Sequence, residues 1–219
     1  MIKRLLDITL SLIGLLFFLP FGIPIALILK ITGERDIFYI QPRVGKEGRL
    51  FGVFKFATML RNSPDIGGGL FTAEDDPRVF PFGKFLRKTK LNEVPQLLNV
   101  LKGDMSLVGP RPQVPAHFDP FPEHVKKELV KIKPGLTGVG SIIFRDEETI
   151  LHNSGKSYEE CYKEDIAPYK GDLELWYIRN QSFLLDLKII LMTVWVVLFP
   201  DSKIYQKFFP EISKKELKP

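Results

Sequence analysis

The amino-acid sequence predicts an α+β, helix-rich fold, with a small sheet region, a re-entrant N-terminal membrane helix and interfacial amphipathic helices. Three observations predict it. A long apolar run near the amino terminus is interrupted by prolines and has basic residues on both sides. Short apolar and aromatic groups alternate with turn residues over 38–56. From residue 91 onward, apolar side chains recur at helical spacing and end in a second apolar run, 183–199.

The first run, Leu5 to Leu29, has Asp7 as its only charge. As a helix its 25 residues measure about 37 Å, enough to cross a hydrocarbon core of about 30 Å. Pro20 and Pro24 each remove a backbone donor, which predicts a break near residue 20. Lys3 and Arg4 precede the run, and Lys30, Arg35, Arg43, Lys46 and Arg49 follow it. Positive charge marks the cytoplasmic side, so a bent helix that enters and leaves by the same face fits better than a straight span, the competing reading. A signal peptide has a shorter apolar core and a small-residue cleavage site, and none follows here. Residues 1–32 are therefore read as the anchor, 33–200 as the domain it carries and 201–219 as a basic, aromatic tail.

Phe38-Tyr39-Ile40, Val44-Gly45 and Phe51-Gly52-Val53-Phe54 read as short strands. The stretch 62–77, with Gly67-Gly68-Gly69, Asp75 and Asp76, reads as a surface loop. Between 91 and 101, Leu91, Val94, Leu97, Leu98 and Leu101 define one helical face. Thr89 is placed to cap the start and Gly103 to end it. Asn92, Glu93 and Gln96 project from the opposite face near the amino terminus, the end that attracts anions.

Gly109-Pro110-Arg111-Pro112 and Lys133-Pro134-Gly135-Leu136-Thr137-Gly138 fix backbone direction around a basic side chain. Residues 157–182 read as helical, broken at Pro168 and Gly171. The run Phe183–Phe199, with only Asp186 and Lys188 charged, is too short for a comfortable span and suits an interfacial or buried helix. Beyond it, Lys203, Lys207, Lys214 and Lys215 beside Tyr205, Phe208 and Phe209 suit either a tail on anionic lipid or a solvated one.

Thirty-one basic residues against 26 acidic ones leave a net charge of +5, too even to mark a nucleic-acid binder. There is no RNP-like aromatic segment, zinc knuckle or base-reading basic helix. A single cysteine, Cys161, and three dispersed histidines exclude a disulfide within the chain and a zinc spacing.

Four segments in order, FKFATM at 54–59, FLRKTKLNEVPQLLNVLKGDMSLVGPRP at 85–112, KPGLTG at 133–138 and NQSFLLDLKIILMT at 180–193, resemble the bacterial sugar transferases, the monotopic polyprenyl phosphate phosphoglycosyltransferases. The resemblance covers nearly the whole chain. It implies an enzyme that moves a sugar 1-phosphate from a UDP-sugar to polyprenyl (undecaprenyl) phosphate and releases UMP, the first membrane step of surface glycan assembly. It also implies a catalytic domain on the cytoplasmic face of the bacterial inner membrane. The implied partners are a UDP-sugar, polyprenyl phosphate, membrane lipid and, in a homo-oligomer, a second copy of the chain.

In that family an Asp-Glu pair does the chemistry: the aspartate attacks the β-phosphorus to form a phosphosugar-enzyme intermediate, and the glutamate is associated with Mg2+. Glu93 matches the glutamate as catalytic residue and metal ligand, Arg111 is a further catalytic candidate, and Lys55 and Arg87 are candidates for substrate binding. Glu174, where the family pattern has an aspartate, is a third. A diphosphate concentrates negative charge, so basic groups and a magnesium ion are wanted on physical grounds alone.

The chain departs from the family at the nucleophile position, where it carries Asn92. A neutral carboxamide is a poor nucleophile. Three accounts stay open: a substitution that holds substrate without turnover, a natural branch that uses another carboxylate (Glu93 or Asp104), or a relative that binds nucleotide sugar or scaffolds other enzymes at the membrane without catalysis.

Overall fold

A computed structural model of the protein describes residues 2–66, 72 and 76–209. The amino-terminal apolar run forms one helix, α1 (Ile2–Ile31), long and apolar enough to cross a membrane by length and composition. The break expected near residue 20 is absent, because the helix runs through Pro20 and Pro24. Spaced four apart, the two prolines lie on the exposed face, so the donors they remove fall away from the packed side.

That packed side is tied to the domain at both ends. Arg4 donates to the carbonyls of Val100 and Leu101, and the Asp7 carboxylate accepts from the Ser106 hydroxyl and the Leu107 amide. Lys3 pairs with buried Asp186 and shares the Val108 carbonyl with the Tyr177 hydroxyl. At the other end Ile25 and Leu29 pack on Phe56 and Leu86. The opposite face is bare: Leu16 and Phe17 are 69% and 75% exposed. So large an apolar surface is one that lipid or a partner covers.

Strands β1 (Phe38–Val44) and β2 (Leu50–Phe56) form an antiparallel hairpin with Phe38 opposite Phe56 and Val44 opposite Leu50. Helix α2 (Pro81–Lys88) follows, and Thr89 closes it, donating to the Phe85 and Leu86 carbonyls, so Thr89 does not cap the next helix. Lys90 takes a left-handed conformation just before the expected 91–101 helix, which consists of a 3₁₀ turn, Leu91–Glu93, and α3 (Gln96–Lys102), with Val94 and Pro95 in right-handed geometry between them. Gly103, at φ 98°, ends α3 as expected.

The apolar face of this segment is turned toward α1 and the outside, with Leu97 beneath Gly14 and Leu98 43% exposed. Its polar face is the inward one: Asn92, Gln96 and Asn99 are buried. Asn99 accepts from the Phe54 amide and donates to the Gly52 carbonyl, splicing β2 onto α3.

Strand β3 (Ser106–Val108) pairs in parallel with β4 (Gly135–Thr137), and α4 (Pro115–Phe118) and α5 (Glu123–Leu129) lie between them in sequence. The Gly109 amide donates to Thr137 and the Gly135 amide to Pro110, so the two glycine-proline motifs run side by side. A Cβ on Gly135 would lie 2.1 Å from the Gly109 nitrogen, which makes a side chain there impossible.

Helices α6 (Val139–Ile143), α7 (Glu147–Asn153) and α8 (Tyr158–Cys161) precede a π turn, Tyr162–Ile166, and then α9 (Ala167–Asn180). Pro168 sits in the first turn of α9, where it costs least, and Gly171 lies within the helix against Phe121 and Val125, so neither ends it. Helix α10 (Phe183–Leu198) buries Ile189, Met192 and Val196 in the main core and exposes Leu184, Leu191 and Leu198, as an interfacial helix does. After α11 (Tyr205–Phe208), Phe209 is buried against Trp176, so the tail begins packed on the domain. Gly67-Gly68-Gly69, Asp75, Lys214 and Lys215 lie outside the described residues.

Candidate functional site

The fold draws residues far apart in sequence onto one spot. The 3₁₀ turn after Lys90 presents Glu93, and the loop leaving β3 presents Arg111. The guanidinium grips the carboxylate through both oxygens, at 2.6 Å and 3.3 Å. From the hairpin come Lys55 and Arg43, the latter held by its own bonds to the Pro112 carbonyl and the Gln41 side chain. Arg87, on α2, touches the Met59 sulfur and pairs with Glu148 of α7.

Electrostatics confirm that these groups feel one another. Burial alone raises the Glu93 carboxyl, but Arg111, Lys55 and Lys90 outweigh it and hold the group well below the usual carboxylate range. Lys55 is pushed down to about 7, first by burial and then by Arg43, against the pull of Glu93. Arg43 is lowered to about 10 by burial and by Arg111, and Lys90 is lowered chiefly by burial.

Glu174 lies behind Arg111, 2% exposed, and accepts from the Arg111 backbone amide at 3.4 Å. Its second oxygen has no partner, and burial lifts the carboxyl to about 7. Gly138 and Gly140 leave the space it fills, since a Cβ on Gly140 would stand 2.4 Å from its Oε1. The carboxyl lies under the loop, behind the Arg111 backbone.

Four of the six residues expected from the sequence, Lys55, Glu93, Arg111 and Glu174, thus form a single cluster, with Arg87 at its edge. Asn92, the sixth, is 7% exposed and its carboxamide oxygen has no partner. Asp104, weighed as a replacement carboxylate, lies past the far end of α3 and pairs with Lys102. Sequence reading missed Arg43, Lys90 and the buried Lys170–Glu147 pair. Arg43 alternates with outward residues on β1, a pattern that was available; the others depend on tertiary approach.

Magnesium takes oxygen ligands and usually keeps water and substrate phosphate among its six. Among the described residues no cluster of three or more His, Cys, Asp or Glu forms a cage. Glu93 and the orphaned Asn92 oxygen are the oxygens this turn supplies, a donor set that fits an ion arriving with a diphosphate.

The site is thus a cluster of cationic side chains around Glu93, on a domain seated along a bare apolar helix. The chain belongs to the bacterial sugar transferase family, whose model matches residues 1–200. It is 35% identical over 199 residues to an undecaprenyl-phosphate glucose phosphotransferase of Komagataeibacter xylinus, covering 88% of this chain and 35% of that protein. It is 36% identical over 198 residues to a UDP-glucose:undecaprenyl-phosphate glucose-1-phosphate transferase of Klebsiella pneumoniae, covering 88% of this chain and 39% of that protein. With the sugar transferase EpsL of Bacillus subtilis it shares 35% identity over 199 residues, 90% of this chain and 87% of that protein. The chain thus spans well under half the length of the first two relatives.

Proposed function

We propose that this chain transfers a sugar 1-phosphate from a UDP-sugar to undecaprenyl phosphate with release of UMP. The observation that carries the reading is the gathering of Lys55, Lys90, Arg43 and Arg111 round Glu93, a charge pattern suited to a diphosphate and a phosphate acceptor together. Arg111, oriented by Glu93 in front and Glu174 behind, clamps phosphate oxygens in a fixed fork. Lys55 gains its full charge as an anion enters, since its lowered pKa rises beside negative charge. Glu93 would hold magnesium, whose contribution is to neutralise diphosphate charge.

The domain sits on the cytoplasmic face of the inner membrane in this reading, with α1 re-entrant or lying in the interface. What supports it is that both ends of α1 are tied to one domain while its outer face is bare. A straight span would carry one end about 30 Å away through the hydrocarbon. The second reading, a non-catalytic nucleotide-sugar binder, is favoured by Asn92 alone. UMP release from UDP-glucose, UDP-galactose and UDP-N-acetylgalactosamine, with undecaprenyl phosphate and magnesium present, tests the two. Release that depends on the acceptor supports transfer; binding without release supports the alternative.

A further inference from the structure

The β1–β2 hairpin has two sides of opposite character. Its register pairs Phe38 with Phe56, Ile40 with Phe54 and Pro42 with Gly52, and because strand side chains alternate, these residues share one side. Val44 and Leu50 complete it at the tip, so every residue on that side is apolar or glycine. The other side carries Tyr39, Gln41 and Arg43, with Lys55 opposite Tyr39, and so contributes to the cationic cluster.

Much of the apolar side is uncovered. Phe38, Ile40 and Leu50 are 50%, 55% and 60% exposed, and Pro42 is exposed between them. The hairpin is not free to turn this side inward. Asn99 bonds β2 to α3, and the Val44 and Glu47 amides donate to the Gln113 and Val130 carbonyls. At the base of the hairpin the apolar side runs into α1: Phe38 stacks on Phe56 at 5.5 Å, and Phe56 meets Phe18 at 6.1 Å, beside the bare Phe17. At the tip, exposed Lys46 and Arg49 outnumber Glu47.

We infer that the apolar side of the hairpin is a further lipid-contacting surface, continuous with the bare face of α1 and resting on the headgroup boundary of an anionic bilayer. The continuity with α1 and the positive tip favour lipid over a second copy of the chain as its cover. The depth is bounded, because a two-stranded sheet leaves β1 an outer edge whose backbone groups need water or a headgroup, and this excludes the hydrocarbon centre. One strand's thickness then separates lipid from Arg43 and Lys55. The inference rests on the membrane-surface reading above and adds to it a surface that neither α1 nor α10 supplies.

The test places a nitroxide on the full chain through one introduced cysteine at a time, Ile40→Cys, Leu50→Cys, Phe17→Cys or Glu159→Cys, all at exposed positions. The native Cys161 is buried and stays unlabelled. In vesicles of phosphatidylethanolamine and phosphatidylglycerol, collisions with lipid-soluble oxygen and with a water-soluble nickel chelate are compared. The inference expects an oxygen-to-nickel ratio at positions 40 and 50 at least about tenfold above that at 159. If position 17 reads lipid while 40 and 50 match 159, the inference fails and the membrane-surface reading stands. If position 17 also reads water, both fail. Shielding of 40 and 50 from both reagents means that protein covers the face, which overturns the assignment to lipid. Because none of these readings needs turnover, a chain that releases no UMP tests the inference equally well.

Discussion

The Glu93–Arg111 contact carries a stability as well as a charge pattern. Arg111→Met removes the guanidinium and leaves Glu93 facing Lys55, Lys90 and Arg43. Breaking a fully buried pair costs about 3–5 kcal/mol, and an exposed pair is worth about 0–1 kcal/mol. The two side chains are 30% and 17% exposed, so the expected loss falls between those limits, at about 2–3 kcal/mol. For a chain of this size that corresponds to a melting temperature lower by about 4–12 °C. Tryptophan fluorescence during heating in detergent, or urea unfolding, measures it. Glu93→Gln in the Arg111→Met background recovers part of the loss, and the double-mutant cycle gives a coupling above about 1 kcal/mol.

The pH dependence has a definite sign. Because Glu93 is depressed on folding, the stability it contributes is present above the unfolded carboxyl pKa, about 4.3, and is lost as pH falls toward the lower folded value. Unaltered protein therefore loses stability on the acid side more steeply than Arg111→Met does. A coupling below about 0.5 kcal/mol, within the error of independent sites, together with parallel acid profiles, would refute the reasoning.

Glu174 behaves oppositely, since its folded pKa of about 7 is raised: the native state holds a proton that the unfolded chain releases, so stability falls between about pH 4.3 and pH 7. Glu174→Gln therefore gains stability relative to the unaltered chain at pH 8 compared with pH 5, by up to about 3 kcal/mol, and a pH-independent difference would contradict it. At pH 7 the lowered Lys55 amine is about half protonated, and binding UMP should draw in about half a proton, visible as a buffer-dependent calorimetric enthalpy that Lys55→Met abolishes. Gly140→Ala brings a Cβ to 2.4 Å from the Glu174 oxygen, so it should destabilise by about 1–3 kcal/mol and reduce turnover through Arg111; unchanged melting and activity would show that Glu174 moves aside freely.

What spacing could reveal in this sequence was the existence of elements and not their orientation. The repeat of Leu91, Val94, Leu97, Leu98 and Leu101 located a helical face, but the neighbour that determines which way it turns is α1, about ninety residues earlier. With an apolar helix outside and a hydrogen-bonding strand inside, the leucines turn outward and Asn92, Gln96 and Asn99 inward. Thr89 was legible as a polar residue at a helix boundary; whether it closed the helix before or opened the one after depended on the left-handed turn at Lys90. Lys55, Glu93 and Arg111 were legible through the family resemblance of the segments that carry them, since charge alone reads as an ordinary surface ion pair. Arg43 was counted with the anchor's flanking charges, and only the hairpin's pairing register carries it to the site.

The anchor and the chemistry are parts of one construction. Phe56 and Leu86, which receive Ile25 and Leu29, each adjoin a basic site residue, Lys55 and Arg87. Val108, whose carbonyl receives Lys3, stands three residues before Arg111. Helix α1 therefore meets the domain within one to three residues of the cationic cluster at both ends, by hydrogen bond at Val108 and by packing at Phe56 and Leu86. If the acceptor is lipid-linked, as the proposed function has it, its phosphate comes no deeper into water than the interface, and a site joined in this way to an apolar helix would meet it there. On the proposed function, detaching either end of α1 should impair the reaction before it impairs attachment to the membrane, because the exposed face of α10 still offers apolar surface to lipid.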